Sequence, residues 1–315
     1  MAPGVIRSQA QATSPMLELG RQLALRKLVC PLTRVPLVQD GESLQTIDGK
    51  RTYPLVRGVP VLLADPGRYA AALAAEGGAM VKEYAAGPPG RLRRLYRRVL
   101  SAAGDQRTAA SHRAFAALLE GLADDALCLS IGGGPTRVRP EFVNLNVGAF
   151  PNVDVVADAY ELPYAGQAVD LVHCEAVYEH LEYPERAAAE MFRVLRAGGA
   201  AFVATPFLQP YHAYPDHFQN FTLSGHRRLF ERAGFRVAEA GTCVGPTFAL
   251  RDLCLNFLRQ VMPGGAVGRW SARLLALATL PLLQLDRIAG NRAGSSHLAS
   301  STYLVLRRED AGLPR

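Results

Sequence analysis

Residues 126–136 read ALCLSIGGGPT, a short apolar run that stops at three consecutive glycines, Gly132, Gly133 and Gly134. A buried strand followed by a turn without side chains lets a backbone approach a ligand closely, so the stretch has the form of a nucleotide-type cradle. Plain turn chemistry gives the same letters, and the segments on either side decide between the two.

Downstream, strand and helix signals alternate. Phe142–Val147, Val153–Ala157 and Ala168–His173 read as strands, Pro184–Arg196 as a helix ended by Gly198-Gly199, and Ala200–Ala204 as the next strand. This alternation predicts an α/β fold with a doubly wound, mostly parallel, Rossmann-like sheet, whose ligands sit beyond the carboxyl ends of the strands. Ser130, the three glycines, Asn146, Asp158, Ala159, Cys174 and Glu175 then fall on one rim. Upstream, Ala109–Leu122 carries apolar positions at helical spacing and leads into the glycine strand.

The whole chain sets outer bounds. Its 315 residues are 49% hydrophobic, enough for one large core with a smaller appendage, and exclude a disordered chain. The formal charge of +7 is densest at Arg91–Arg98, a run that could face RNA or an anionic membrane and reads more simply as a solvated helix face. Five scattered cysteines, odd in number and mostly among apolar neighbours, predict free thiols in a reducing compartment, hence a cytoplasmic protein. The longest apolar run, Leu274–Leu285, is broken by Pro281 and is shorter than the ~20 residues of a spanning helix.

Residues 28–63 read as short strands punctuated by Asp40-Gly41, Asp48-Gly49 and Gly58. With Cys30-Pro31, Tyr53-Pro54-Leu55 and Gly58–Leu63 they resemble the zinc-ribbon-like methyltransferase-activator proteins. The second cysteine of that pattern is Thr33 here, and one cysteine cannot make a four-ligand zinc site. The expectation is a module without zinc, which forgoes the roughly 10 to 16 kcal/mol that the metal gives an isolated finger and depends on packing against its neighbour.

Residues 126 to about 240 resemble a class I S-adenosylmethionine-dependent methyltransferase of the type 11 group. The motifs that carry the resemblance occur in order: Leu129–Gly134, Asp158–Pro163, Val169–Val172, Glu179-His180-Leu181, Arg193–Gly199 and Ala233-Gly-Phe235. The resemblance implies seven strands with an antiparallel last one, matched by Ser300–Leu306. It also implies S-adenosylmethionine as cofactor, the glycine loop against its methionine part, and Asp158 on its adenine amino group. The acidic residue that takes the ribose hydroxyls in the family is Asn146 here, and a neutral acceptor in place of a charged one predicts an affinity roughly tenfold lower. Ser130 stands where the family often has Glu or Asp, and Pro135-Thr136 replaces the third-glycine region.

Methyl transfer is an in-line displacement that asks for alignment and exclusion of water, and requires neither a metal nor a covalent residue. A base for a hydroxyl acceptor is expected from the segment after the fifth strand, with His212, Asp216 and His217 as candidates; a metal site from the same three is the lesser reading, since their spacing matches no standard ligand motif, and the resemblance implies that His180 faces the same rim. The reading is a chain organised as a tail (1–22), a small N-terminal β module (23–65), a helical linker (66–108), a methyltransferase core (109–250) and a helical insertion with the final strand (251–315). It transfers methyl groups to a small-molecule or lipid-like acceptor, with the insertion shaping an apolar pocket or touching a membrane surface, and with nucleic acid a lesser candidate. The alternative is a catalytically silent member of this fold acting as a scaffold. A dinucleotide oxidoreductase is disfavoured because Arg137 stands at the third glycine of Gly-x-Gly-x-x-Gly.

Overall fold

A computed structural model describes residues 27–56, 58–65, 105–134, 137–148, 150, 152–212, 216–262, 265–290, 292 and 294–309. The expected tail, most of the expected linker, the Arg91–Arg98 run and Pro135-Thr136 lie outside these residues.

One continuous sheet of eleven strands organises the described chain, in the order β1-β2-β3-β4-β7-β6-β5-β8-β9-β11-β10. Its central part is parallel: β5 (Cys128–Ile131) lies between β6 (Val143–Asn146) and β8 (Val169–Glu175), with β7 (Val155–Ala157) beyond β6 and β9 (Leu195–Pro206) beyond β8. The far edge is antiparallel. There β11 (Ser301–Arg307) runs between β9 and β10 (Arg236–Val244). The three central strands are largely buried on both faces, as parallel strands under helices are, with their polar residues Ser130, Asn144 and His173 buried among the apolar ones.

Helix α1 (Ala109–Leu119) leads into β5, and its first turn is capped by the Thr108 hydroxyl, which accepts from the Ser111 amide at 3.2 Å. Helix α2 (Pro184–Val194) buries Ala187, Ala188, Met191 and Val194 at helical spacing. It hands over directly to β9 at Leu195, without the glycine stop expected at Gly198-Gly199. Asp170 and Arg308 explain the earlier strand start: Arg196 pairs with Asp170 at 2.5 Å, and Arg308 donates to the carbonyls of Phe192, Arg193 and Leu195.

The N-terminal strands β1 (Leu37–Asp40), β2 (Ser43–Thr46), β3 (Thr52–Val56) and β4 (Val59–Leu62) form an antiparallel meander. Strand β4 then pairs in parallel with β7, Val61 opposite Val156 and Leu62 opposite Ala157, so the meander extends the main sheet. Two further links fasten it: the Val29 amide donates to Pro163 O at 3.0 Å, and Arg34 reaches Leu162 O at 3.0 Å and Glu190 at 3.2 Å. Leu28, Cys30, Leu44, Tyr53 and Leu62 share one core with Leu129, Leu145 and Tyr164. Cys30 is fully buried, with its sulfur 3.0 Å from the Tyr53 hydroxyl.

After β10 come α4 (Pro246–Val261) and α5 (Ala266–Ala278), then a short helical turn at Asp286–Ala289; α3 (Leu223–Arg232) precedes β10. Both Asp286 oxygens accept from the first turn of α4, from Thr247 N at 2.8 Å and Phe248 N at 3.0 Å, which places an acid where unpaired amides and the helix dipole favour it. Helices α4 and α5 leave Leu250, Phe257, Val267, Trp270 and Leu274 exposed. No helix among the described residues is long and apolar enough to cross a membrane.

Candidate functional site

The sheet reverses its winding beside β5, since β6 and β7 lie to one side and β8 and β9 to the other. Crevices beyond the carboxyl ends of strands at such a switch point are where ligands bind in open α/β sheets. The glycine loop leaves β5 there, and it is tightly fixed. Gly132 has φ +73, and a Cβ on it would lie 2.1 Å from Val177 Cγ2. A Cβ on Gly133 would lie 1.4 Å from Asn144 Oδ1. Only glycine fits either place. A Cβ on Gly134, by contrast, meets nothing within 4 Å among the described residues, so the loop opens onto the rim at that residue.

Two asparagines of β6 hold this loop. Residues 144 and 146 are two apart on a strand and therefore share a face. The Asn144 amide donates to Gly134 O at 3.1 Å and to Asn152 O at 2.9 Å, and the Asn146 amide donates to Gly133 O at 3.0 Å. Asn146 Oδ1 accepts from Gly148 N at 2.8 Å. An aspartate at 146 has no hydrogen to give and would set its charge against the Gly133 carbonyl. The asparagine thus secures the loop and keeps a neutral oxygen lone pair for a ligand hydroxyl.

Asn144 is in turn anchored through Asp154, which is buried, accepts from the Asn144 main-chain amide at 2.8 Å and is gripped by both terminal nitrogens of Arg137. Arg137 also donates to Phe142 O at 2.9 Å. The residue standing at the third-glycine position is therefore a clamp on the turn between β6 and β7.

The other rim residues divide by what their side chains already touch. Ser130 is buried under the loop. Asp158 is half-buried, and its Oδ1 accepts from Tyr160 N at 2.9 Å in a local turn. Ala159 packs against the main core. Cys174 is fully buried in that core, where desolvation, aided by Glu179 and Glu175, pushes its thiol well above the ordinary value. Its side chain is packing, and only its backbone can face a ligand. Glu175 pairs with Arg107 at 3.2 Å; burial raises its pKa, and His173 and Arg107 more than offset that and hold it below the usual carboxylate range.

The histidine candidates meet beyond β8 and β9. The segment after β9 folds over the turn Tyr178–His180: Phe218 N donates to Glu179 O at 2.8 Å, and the Gln219 amide donates to Leu181 O at 3.0 Å. The rings of His180, His212 and His217 lie within 4.4 to 5.9 Å of one another, centroid to centroid. His217 has both nitrogens engaged, Nδ1 accepting from His212 N at 3.2 Å and Nε2 donating to Asn220 Oδ1 at 2.9 Å. Asp216 is exposed and contributes its carbonyl, which accepts from His180 Nδ1 at 2.6 Å. His212 and His180 each turn Nε2 toward Glu179, both at 3.8 Å from its Oε1. The carboxylate of Glu179 raises the pKa of His212. Glu179, fully buried, is the member of this group that sequence reading passed over as part of a motif; an acid directly before a rim histidine was its signal.

Residues 137–203 match the family described as "Methyltransferase domain". Among curated proteins no relative matches. Among solved structures, the chain is similar to the complex between the Haloferax volcanii Trm112 methyltransferase activator and its candidate methyltransferase, at 16% identity over 64% of this chain and 91% of that one, TM-score 0.41. An S-adenosylmethionine dependent methyltransferase from Mesorhizobium loti aligns at 12% identity over 64% and 99%, TM-score 0.37. Phosphoethanolamine N-methyltransferase 2 from Haemonchus contortus, in complex with phosphomonomethylethanolamine and S-adenosylhomocysteine, aligns at 13% identity over 63% and 53%, TM-score 0.38. The segment from Arg137 to Val203, which spans the clamp, both asparagines, the Asp158 turn and the Glu179-His180 pair, is thus a match to the methyltransferase domain.

Proposed function

We propose that the chain transfers a methyl group from S-adenosylmethionine to a small-molecule or lipid-like acceptor. The methyltransferase-domain match supports S-adenosylmethionine as the cofactor. The observation that carries the reading is the glycine loop at the switch point, closed against Val177 and Asn144 at Gly132 and Gly133 and open at Gly134. Its residues fit such a cofactor: partly exposed loop backbone at Gly134, a neutral oxygen on Asn146, and the second oxygen of Asp158 for an adenine amino group.

The bound cofactor supplies a methyl group on a positively charged sulfur. The chain's part is to hold nucleophile, methyl and sulfur in line and keep water out. His212, on the segment that covers the Glu179 turn, is the candidate to take a proton from a hydroxyl acceptor, with His180 beside it. His217 and Asp216 position these two rings through His212 N and the Asp216 carbonyl.

On this reading the strands of residues 27–65 are a helper module fused in cis, without zinc, that supports the core by pairing β4 with β7. The exposed apolar residues of α4 and α5 are the surface for an apolar acceptor or a peripheral membrane contact, and the five free thiols accord with a reducing, cytoplasmic setting. The silent-scaffold reading draws on Asn146, whose amide is spent on the loop. Calorimetry with S-adenosylmethionine and S-adenosylhomocysteine separates the two: micromolar to sub-millimolar binding supports the enzyme, and none at millimolar ligand removes it.

A further inference from the structure

We infer that Glu179, His180 and His212 form a binding site for one divalent transition-metal ion. The Glu179 side chain is fully buried, and among the described residues neither carboxylate oxygen has a hydrogen-bond partner. A buried charge without a partner is unfavourable unless something positive sits beside it. His180 gives its Nδ1 hydrogen to Asp216 O at 2.6 Å, and His212 gives its Nδ1 hydrogen to Pro210 O at 3.0 Å, because a carbonyl can only accept. In a neutral ring the other nitrogen, Nε2, then carries a lone pair.

Both Nε2 atoms face Glu179 Oε1 at 3.8 Å, so lone pairs converge on one point from two rings and a carboxylate. The three donor atoms lie within 4.8 Å of one another. A tetrahedral ion with bonds of about 2.1 Å holds its ligands about 3.4 Å apart, a few tenths of an ångström closer than the pairs to Glu179. His212 stands on a connecting segment and can supply that movement. Backbone carbonyls that fix the far nitrogen of each ring are the usual outer shell of a metal-binding histidine. His217 adds support by accepting from His212 N.

Two imidazoles and one carboxylate suit manganese, iron, cobalt, nickel or zinc better than magnesium or calcium, which prefer all-oxygen ligands. Three protein ligands leave positions open, and His212 is partly exposed, so the open side faces the rim. If the methyl-transfer reading holds, those positions would take an oxygen atom of the acceptor; the binding of the ion itself does not depend on that reading.

The test is calorimetry of the chelator-treated full chain with manganese and with zinc, without any cofactor, paired with thermal unfolding. One equivalent should bind and raise the melting temperature. His212→Ala should weaken binding at least about tenfold, since even outer-shell losses cost 10- to 100-fold. Glu179→Gln should abolish the metal-induced rise while leaving the metal-free protein as stable as before or more so, because it removes an uncompensated buried charge. A purely structural glutamate would instead lose stability on that change. His297→Ala, at an exposed histidine that is not one of the three ligands, should change nothing. Absence of binding at millimolar metal would overturn the inference and leave protons on the imidazoles as the counter-charge, and so would binding unaffected by His212→Ala and Glu179→Gln. Cofactor calorimetry on Glu179→Gln separates the two proposals, since loss of metal with retained cofactor binding leaves the methyl-transfer reading standing.

Discussion

Gly133→Ala should behave as a substitution of Asn144. The new Cβ would lie 1.4 Å from Asn144 Oδ1 and 2.5 Å from its Cγ, far inside contact distance, and 3.0 Å from Ser130 Oγ. The asparagine must leave, and with it go the bonds to Gly134 O and Asn152 O. At about 0.5 to 1.5 kcal/mol each, those two bonds put Asn144→Ala at roughly 1 to 3 kcal/mol. Gly133→Ala adds displacement of the loop and should cost roughly 2 to 4 kcal/mol. Independent sites would make the double variant cost the sum, roughly 3 to 7 kcal/mol. The geometry says otherwise: with Asn144 already cut back to alanine, the new methyl group meets only Ser130 Oγ, at 3.0 Å, which a small shift of that hydroxyl relieves, and the double should cost little more than Asn144→Ala alone. Urea unfolding of the four proteins gives the coupling, expected to approach the full cost of Gly133→Ala, roughly 2 to 4 kcal/mol. Affinity for S-adenosylhomocysteine, lost in Gly133→Ala, should partly return in the double variant. Additive stabilities, or a Gly133→Ala protein as stable as the parent, would refute the latch.

Arg137→Ala leaves the buried Asp154 carboxylate without its clamp and should cost about 3 kcal/mol by denaturant unfolding, with Arg137→Lys intermediate because a single ammonium cannot grip both oxygens. His226, fully buried beside Phe230 and Thr302, has its pKa lowered to about 3 by desolvation. The unfolded chain therefore binds the extra proton below about pH 6.5, so this contribution is intact above that pH and is lost as pH falls toward 3. Between pH 7 and pH 5 the loss is about 2 kcal/mol, and in His226→Gln the stability difference from the parent should shift by that amount; parallel pH curves would contradict it. Asp286→Ala removes the acid that accepts from Thr247 N and Phe248 N and should lower stability by about 1 kcal/mol, seen as a reduced melting temperature.

Much of the parallel sheet was legible because its signal is local. Apolar runs punctuated by glycine mark β5 through β9, and the antiparallel final strand stands out as Ser301–Arg307 after a polar turn. What escaped depends on partners distant in sequence. Arg137 reads only as a missing glycine until Asp154, 17 residues on, turns it into a clamp. Asn144 and Asn146 did leave a trace, two amides at period two in an otherwise apolar strand, since buried amides need partners. Their partner was the glycine loop itself, which explains why asparagine suits position 146. The pairing of β4 with β7, and the reach of Arg34 to Glu190 across 156 residues, have no local signature at all. The convergence on Glu179 left only the acid directly before His180 as a trace, because a glutamate in a motif looks the same whether it is solvated or buried.

In the function proposed above, the loop from Gly132 to Gly134 receives S-adenosylmethionine. Titration calorimetry of the full chain with S-adenosylhomocysteine addresses it most directly, run beside Gly133→Ala. Saturable binding of one equivalent at micromolar to sub-millimolar ligand, lost in the variant, is the predicted result. No heat at millimolar ligand, or binding that Gly133→Ala leaves unchanged, would contradict it.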